Sequence, residues 1–433
     1  IYYKNLYAGE LTRHESGEYT IEYDNKYLDS QNPSLSSTLP KGQRFFSSER
    51  FFPFFDGLIP EGWILNFSAQ KLKLDAFRDR FELFEALCYD CIGAVHHGKN
   101  APEKIHQAQI CVETSWPKTR EQCLSCYEAL DNKGLGNYHE SCLKKFFGHF
   151  DDKRPLVFQS SKLRGLVETD LNKRLSLPGV QKKLSLDYEK VSNAKRERAT
   201  LSSLSGQYIL KPASDPPHLA ENEDLCLKMA KASGIKVADS LLIEDDRENL
   251  CLFSKRFDRN QNGERFHQED FSQIFEKYPY EKYTGSHEKI GKFLKTHADV
   301  PGDDVFRLFE IVTFNYLIGN ADAHLKNFTF CHESRKTLSP IYDTLSTDLF
   351  INNDPEKSAL TINGKKSNIK GRDFLIFAQT IGISEKVFYR VLKKFQRDYT
   401  KWEVLIDSSF LAKPDKEHFK KLIKDHLQEL LTE

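Results

Sequence analysis

The run Gly319-Asn320-Ala321-Asp322-Ala323-His324-Leu325-Lys326-Asn327 places an aspartate and an asparagine in D-x-x-x-x-N spacing. A carboxylate and an amide on one loop can divide the work of phosphoryl transfer. The carboxylate orients the attacking hydroxyl, and the amide oxygen holds magnesium. Further on, Tyr342-Asp343 offers a second hard oxygen donor of the kind magnesium takes. Any one of these residues reads as well as an exposed polar turn or a capping Asp; the ordered set of three is what points to kinase-type chemistry. Upstream, Tyr208-Ile209-Leu210-Lys211-Pro212 reads as a strand ending in a lysine that can reach phosphates, with an exposed edge-strand lysine as the alternative. Glu221 and Glu223 open the next helix, where an acid suits the positive end of the dipole; Glu223 is also a candidate partner for Lys211.

A separate constellation is Cys123-Leu124-Ser125-Cys126 followed by His139-Glu140-Ser141-Cys142. Two ligand pairs on tight turns let Cys123, Cys126, His139 and Cys142 converge tetrahedrally, as structural zinc requires. Free buried thiols beside a surface histidine are the alternative, and Cys111 lies off the pattern. The loop Ser176-Leu177-Pro178-Gly179-Val180-Gln181-Lys182-Lys183 has too few glycines for a standard phosphate loop, so an ordinary turn before a strand explains it equally well.

These residues need elements to hold them. Apolar positions Val305, Leu308, Phe309, Val312, Tyr316 and Leu317 predict a helix running into the Asp322 loop, stopped by Gly319-Asn320. A strand at Phe328–Phe330, a turn over Glu333–Lys336 and a second strand at Leu338–Ile341 then carry the chain back to Asp343. A helix is expected over Asp224–Ala232 and a buried strand over Leu250–Phe253, followed by Lys255 and Phe257 where a nucleotide-contacting hinge would fall. Toward the N-terminus, Leu6–Leu11 suggests a hairpin around a glycine, Glu18–Tyr23 alternates as a half-buried strand, and helices are expected at Trp63–Leu72 and Asp79–Tyr89. Residues 98–120 read as a linker, and two amphipathic helices are expected at Val387–Tyr399 and His418–Leu431. His267, Asp270 and His324 are candidates for placing substrate or nucleotide, with a surface or core role as the default for each histidine.

A chain of 433 residues accommodates more than one domain. Equal counts of 63 basic and 63 acidic residues argue against dominant affinity for nucleic-acid backbone. No apolar run suits a membrane span, and Ile1–Asn5 lacks a signal-peptide pattern. Cys88, Cys226, Cys251 and Cys331 sit in apolar surroundings as reduced thiols would, and a cytoplasmic setting is expected.

Taken in order, Leu177–Lys183, Ile209–Pro212, Glu221–Glu223, Lys255–Arg259, His267–Asp270, Asn320–Phe328 and Tyr342-Asp343 resemble HipA-type bacterial toxin serine/threonine kinases, and Leu35–Pro40 and Phe55–Gly62 resemble that family's N-terminal subdomain. The resemblance implies an α+β, two-lobed protein-kinase-like fold: an N-terminal subdomain over 1–105, a linker and zinc-finger-like element over 106–150, an N-lobe over 151–257 and a mainly helical C-lobe over 258–433. It implies Asp322 as catalytic aspartate, Asn327 and Asp343 as magnesium ligands, and ATP contacts from Gly179, Val180, Gln181, Lys182, Lys211, Lys255, Phe257, His324 and Lys326, with Ser176 as an inhibitory autophosphorylation site. It further implies a protein substrate such as an aminoacyl-tRNA synthetase and a DNA-binding antitoxin partner. A different protein or small-molecule acceptor, or a non-catalytic binding module, are the competing expectations. Two departures stand out: Pro178 in the loop, and the fusion of the Cys123–Gly148 element, which resembles the start of a shorter kinase variant, to an N-terminal subdomain.

Overall fold

The computed structural model describes residues 1–89, 91–98, 108–109, 120–130, 136–148, 157–158, 184–191, 196–201, 206–245, 247–260, 262–332, 335–351 and 354–432, with backbone alone for 63, 64, 67, 108–109, 157–158, 184–191 and 196–201. Ser176, Gly179, Val180, Gln181 and Lys182 therefore lie outside the described residues, as does Cys111.

The chain opens with β1 (Tyr2–Tyr3) and β2 (Leu6–Tyr7), a tight hairpin that turns at Lys4 with φ +51°. The expected hairpin at Leu6–Leu11 is thus displaced. Gly9 begins β3 (Gly9–Arg13) instead of forming the turn, because a Cβ there would meet the Glu22 carbonyl at 2.3 Å across the pair with β4 (Tyr19–Tyr23). After α1 (Asn25–Leu28), capped by Asp24, β5 (Phe45–Ser48) completes a three-stranded sheet. The aromatic run then turns into α2 (Pro53–Asp56), with proline in its first turn, followed by α3 (Gly62–Leu72), α4 (Arg80–Leu87) and β6 (Val95–His96). Tyr23, Tyr27, Phe54, Phe55 and Phe84 fill one core between these elements.

β7 (Ala108–Gln109), inside the expected linker, joins a seven-stranded sheet. The chain continues through α5 (Glu140–Phe147), β8 (Val157–Phe158), β9 (Leu184–Val191), β10 (Arg196–Leu201) and β11 (Tyr208–Lys211). Next come α6 (Leu219–Ala232), which starts five residues before its predicted limit, β12 (Ser240–Asp245) and β13 (Leu250–Lys255). The sheet order is β7-β10-β9-β11-β13-β12-β8, with Lys211 opposite Leu252. Leu210, Leu241, Leu242, Cys251 and Leu252 are buried in it, and α6 packs on β12 and β13.

The remainder is mostly helical. β14 (Gln268–Asp270) leads into α7 (Phe271–Ile274), α8 (His287–His297) and α9 (Pro301–Leu317), then β15 (Thr329–His332) and β16 (Lys336–Leu338). The second strand of this hairpin ends at Leu338 rather than starting there, since Ser339-Pro340 removes a donor that a longer ladder would need. Helices α10 (Gly371–Ile381), α11 (Glu385–Ser408) and α12 (Lys413–Leu431) close the fold. Trp402 on α11 is fully buried and donates through Nε1 to the Met229 carbonyl and Ser233 Oγ, both at 3.0 Å, pinning this bundle to α6. The described cysteines form no disulfide, and no helix among the described residues is long and apolar enough to cross a membrane.

Candidate active site

Every apolar position that predicted α9 is buried, so this helix is anchored from the core outward to its last turn. Gly319 ends it at φ +66°, and a Cβ there would also meet Leu422 at 2.8 Å. The loop that follows is braced by amides. Asn320 Nδ2 donates to Asn315 Oδ1 (3.0 Å) and Thr344 Oγ1 (3.2 Å), and Asn320 Oδ1 accepts the Asp322 N–H at 3.0 Å. Because Thr344 follows Asp343, one side chain sets the spacing of Asp322 and Asp343 together.

The loop lines a cleft of about 720 Å³ that contains Lys211, Glu223, Lys255, Phe257, Asp322, His324, Lys326, Asn327 and Asp343. Lys211 Nζ donates to both Glu223 oxygens, at 2.5 and 2.6 Å, and pairs with Asp343. Burial works against the charge on Lys211, but Asp343 and Glu223 outweigh it and raise its pKa. Asn327 Nδ2 donates to the Asp343 carbonyl at 3.2 Å, which leaves Asn327 Oδ1 buried without a hydrogen-bond partner. An amide oxygen so orphaned, beside the Asp343 carboxylate, is a donor set that suits a magnesium ion. Phe257 stands at the cleft wall against Tyr342, ring centroids 5.3 Å apart, and Lys255 ends β13 beside it.

Three cleft side chains, Glu61, Lys282 and Tyr283, come from outside the catalytic-loop motif. Glu61, from the N-terminal subdomain, reaches in to pair with Lys326 at 2.8 Å and Lys282 at 3.6 Å. Burial opposes its charge, yet Lys326 and Lys282 hold the carboxyl at about 2. Lys326 is further tied to Asp270 at 3.5 Å, so its ammonium is engaged across the two subdomains. Tyr283 is the third, its Oη donating to Asp322 Oδ1 at 2.5 Å. His324 lies edge-on to the Tyr283 ring; burial, then the Lys282 charge, drive its pKa down to about 3 and keep it neutral. Glu61 falls in the Phe55–Gly62 stretch that resembles the family's N-terminal subdomain, but nothing there marked it as a cleft residue, and Tyr283 had no signal beyond its aromatic type.

His267 takes a core position outside the cleft, between Tyr3 and His332, with centroids 5.4 and 4.8 Å away. Asp270 caps α7, accepting the Gln273 N–H at 2.9 Å.

Away from the cleft, Cys123, Cys126, His139 and Cys142 present four donor atoms all within 4.8 Å of one another. His139 Nε2 lies 3.0 Å from the Ala129 carbonyl, a contact that places the proton on Nε2 and makes Nδ1 the ring's acceptor, facing Cys126 Sγ at 3.3 Å. Hydrogen bonds from the Cys126 and Cys142 thiols, with backbone N–H groups of His139 and Ser125, lower the pKa of Cys123 far below the usual thiol range. The soft donors, their convergence and the fixed tautomer fit zinc.

Residues 1–97 match the family described as HipA N-terminal domain, and residues 175–402 match HipA-like C-terminal domain. The Y4mE protein of Sinorhizobium fredii, which carries a provisional kinase name, is 28% identical over 399 residues, covering 88% of this chain and 85% of its own. The serine/threonine-protein kinase toxin HipA of Shewanella oneidensis is 32% identical over 201 residues, 41% of this chain and 44% of that one. The fold is also that of a chain in the solved complex of the Shewanella oneidensis MR-1 toxin–antitoxin system, HipA and HipB with operator DNA. The TM-score is 0.72 at 21% identity, with 99% of this chain and 96% of that chain covered.

Proposed function

We propose, from the premise that this chain belongs to the HipA family and has its kinase-like fold, that it is an ATP- and magnesium-dependent serine/threonine protein kinase. The observation that carries the reading is the convergence of Asp322, Asn327, Asp343 and the Lys211–Glu223 pair on one cleft. Asp322 takes the proton of an acceptor hydroxyl and aligns that oxygen with the γ-phosphorus. Lys211, held by Glu223, meets the phosphates, and Phe257 packs beside the base. Asn327 and Asp343 would hold magnesium, which supplies charge neutralisation on the phosphates when bound. In the resting geometry Lys211 pairs with Asp343; nucleotide phosphates would draw the ammonium away and free that carboxylate. Ser176 is the proposed inhibitory autophosphorylation site, where added charge would disturb a phosphate-binding loop. The Shewanella HipA chain of like fold stands in a complex of a toxin–antitoxin system with HipB and operator DNA. By that likeness we propose an antitoxin partner for this chain; a cytoplasmic setting is proposed from its thiols in apolar surroundings, and a growth-arresting action on a translation component such as an aminoacyl-tRNA synthetase from the family resemblance alone.

Incubation with labelled ATP and magnesium tests the reaction. Wild type should transfer label to protein, its own chain included, and Asp322→Ala should lose at least about 100-fold of that transfer. Label appearing on a metabolite but on no protein would replace the protein acceptor with a small molecule.

A further inference from the structure

Tyr283 lies at the place where an acceptor hydroxyl meets its base. Its Oη donates to Asp322 Oδ1 at 2.5 Å, within the distance a general base needs to take a proton. The phenol is not held there by that bond alone. The carbonyl of Lys282 accepts the N–H of Leu325, inside the catalytic loop, at 3.1 Å. The Lys282 ammonium pairs with Glu61 at 3.6 Å, and the Tyr283 ring meets the His324 ring edge-on at 5.1 Å. Tyr283 is nonetheless 41% exposed and lines the cleft.

We propose that Tyr283 is a phospho-acceptor of this chain's own active site, modified in cis. The inference rests on the kinase reading above. In the step, the phenolic oxygen forms a bond to the γ-phosphorus of ATP, the bond from that phosphorus to the β,γ-bridging oxygen breaks, and ADP leaves with the electron pair. The phenolic proton passes to Asp322. Base assistance is needed here, because burial and the Asp322 charge raise the phenol above its ordinary range and keep it protonated. The product carries a phosphate against the Asp322 carboxylate and fills the acceptor position, so a modified chain cannot align an external hydroxyl.

Phosphopeptide mass spectrometry of the full chain incubated with magnesium and ATP tests the proposal. Wild type should give phosphotyrosine at Tyr283, at a rate that does not change when the protein is diluted. Asp322→Ala should lose it while keeping the wild-type melting temperature, and Tyr283→Phe, which removes only the hydroxyl, should give no phosphotyrosine in that peptide. Phosphate on serine with an unmodified Tyr283 peptide overturns this inference and leaves the kinase reading standing. A Tyr283 signal that survives Asp322→Ala, or whose rate rises with protein concentration, overturns it too. No phosphate on the chain or on any added acceptor overturns both readings together.

Discussion

At the residue scale the cleft is a set of charges that exist only in each other's company. Glu61, Lys326 and Lys282 are all largely buried, and the carboxylate is what makes the two ammonium groups tolerable there. Removing one partner of such a group costs far more than the pair is worth, because the others remain buried and uncompensated. Glu61→Leu should therefore destabilise the fold by about 3–5 kcal/mol in urea unfolding. Glu61→Gln, which keeps an acceptor for Lys326, should lose clearly less. Equal losses would mean that shape rather than charge holds this corner. The Asp322, Asn327 and Asp343 set was legible because its spacing lies within one loop and one hairpin. Glu61 and Tyr283 were not, because each reaches the cleft from an element whose own sequence carries no periodic mark of it; only the folded chain brings Glu61 to Lys326, 265 residues later in number.

At the element scale, strong periodicity was the readable quantity. Helix α9, with apolar residues at helical spacing and its later turns buried all round, was predicted nearly in full, and α11 and α12 were found although α11 runs well beyond its predicted limits. Helix α8, lysine-rich, went unread, and α10, which falls in the C-terminal stretch expected to be helical, was not delimited; it opens on Gly371 and Arg372, and its first-turn carboxylate, Asp373, comes only third. The Cys123–Cys142 element shows why spacing can exceed propensity as a signal, since four donors at fixed intervals constrain a fold that few hydrophobic residues could. That element docks on the seven-stranded sheet and on α6: Tyr138 Oη donates to the Leu242 carbonyl at 2.7 Å and Asn137 Nδ2 to Glu244 at 2.6 Å, both on β12, and Tyr127 Oη donates to Asp224 on α6 at 2.7 Å. A zinc ion there would stabilise the docking as well as the knuckle. Chelation should lower the melting temperature of wild type, restored by added zinc, and should leave a Cys142→Ala variant nearly unmoved. Metal analysis finding well under one zinc per chain in gently purified protein would remove the site.

At the scale of the whole molecule, the N-terminal subdomain and the rest of the chain share a buried seam. Glu269 is fully buried and accepts from Ser36 Oγ at 2.6 Å and from the Ser37 N–H and Oγ at 2.9 and 2.6 Å, while Gln273 Nε2 donates to the Phe54 carbonyl at 2.9 Å. His267 lies in this seam, His324 in the cleft and His287 in the helical core, so protons read three separate regions at once. Burial lowers all three to about 3, with the His332 and Lys282 charges adding to the effect at His267 and His324 respectively. The unfolded chain binds protons at these positions below the ordinary value of 6.5, whereas the folded chain keeps them neutral down to about 3. Their contribution to stability is therefore complete above pH 6.5 and is lost as pH falls toward 3, each group adding a slope of up to about 1.4 kcal/mol per pH unit. Glu61 and Glu269, both held at about 2, add losses of the same sign only below their ordinary 4.5, so the first part of the decline belongs to the histidines. The urea midpoint should begin to fall just below pH 6.5, before any carboxylate of ordinary pKa titrates, and His287→Gln should make that early decline shallower. A midpoint that stays level until the carboxylate range would mean that these rings are already reached by water in the folded chain.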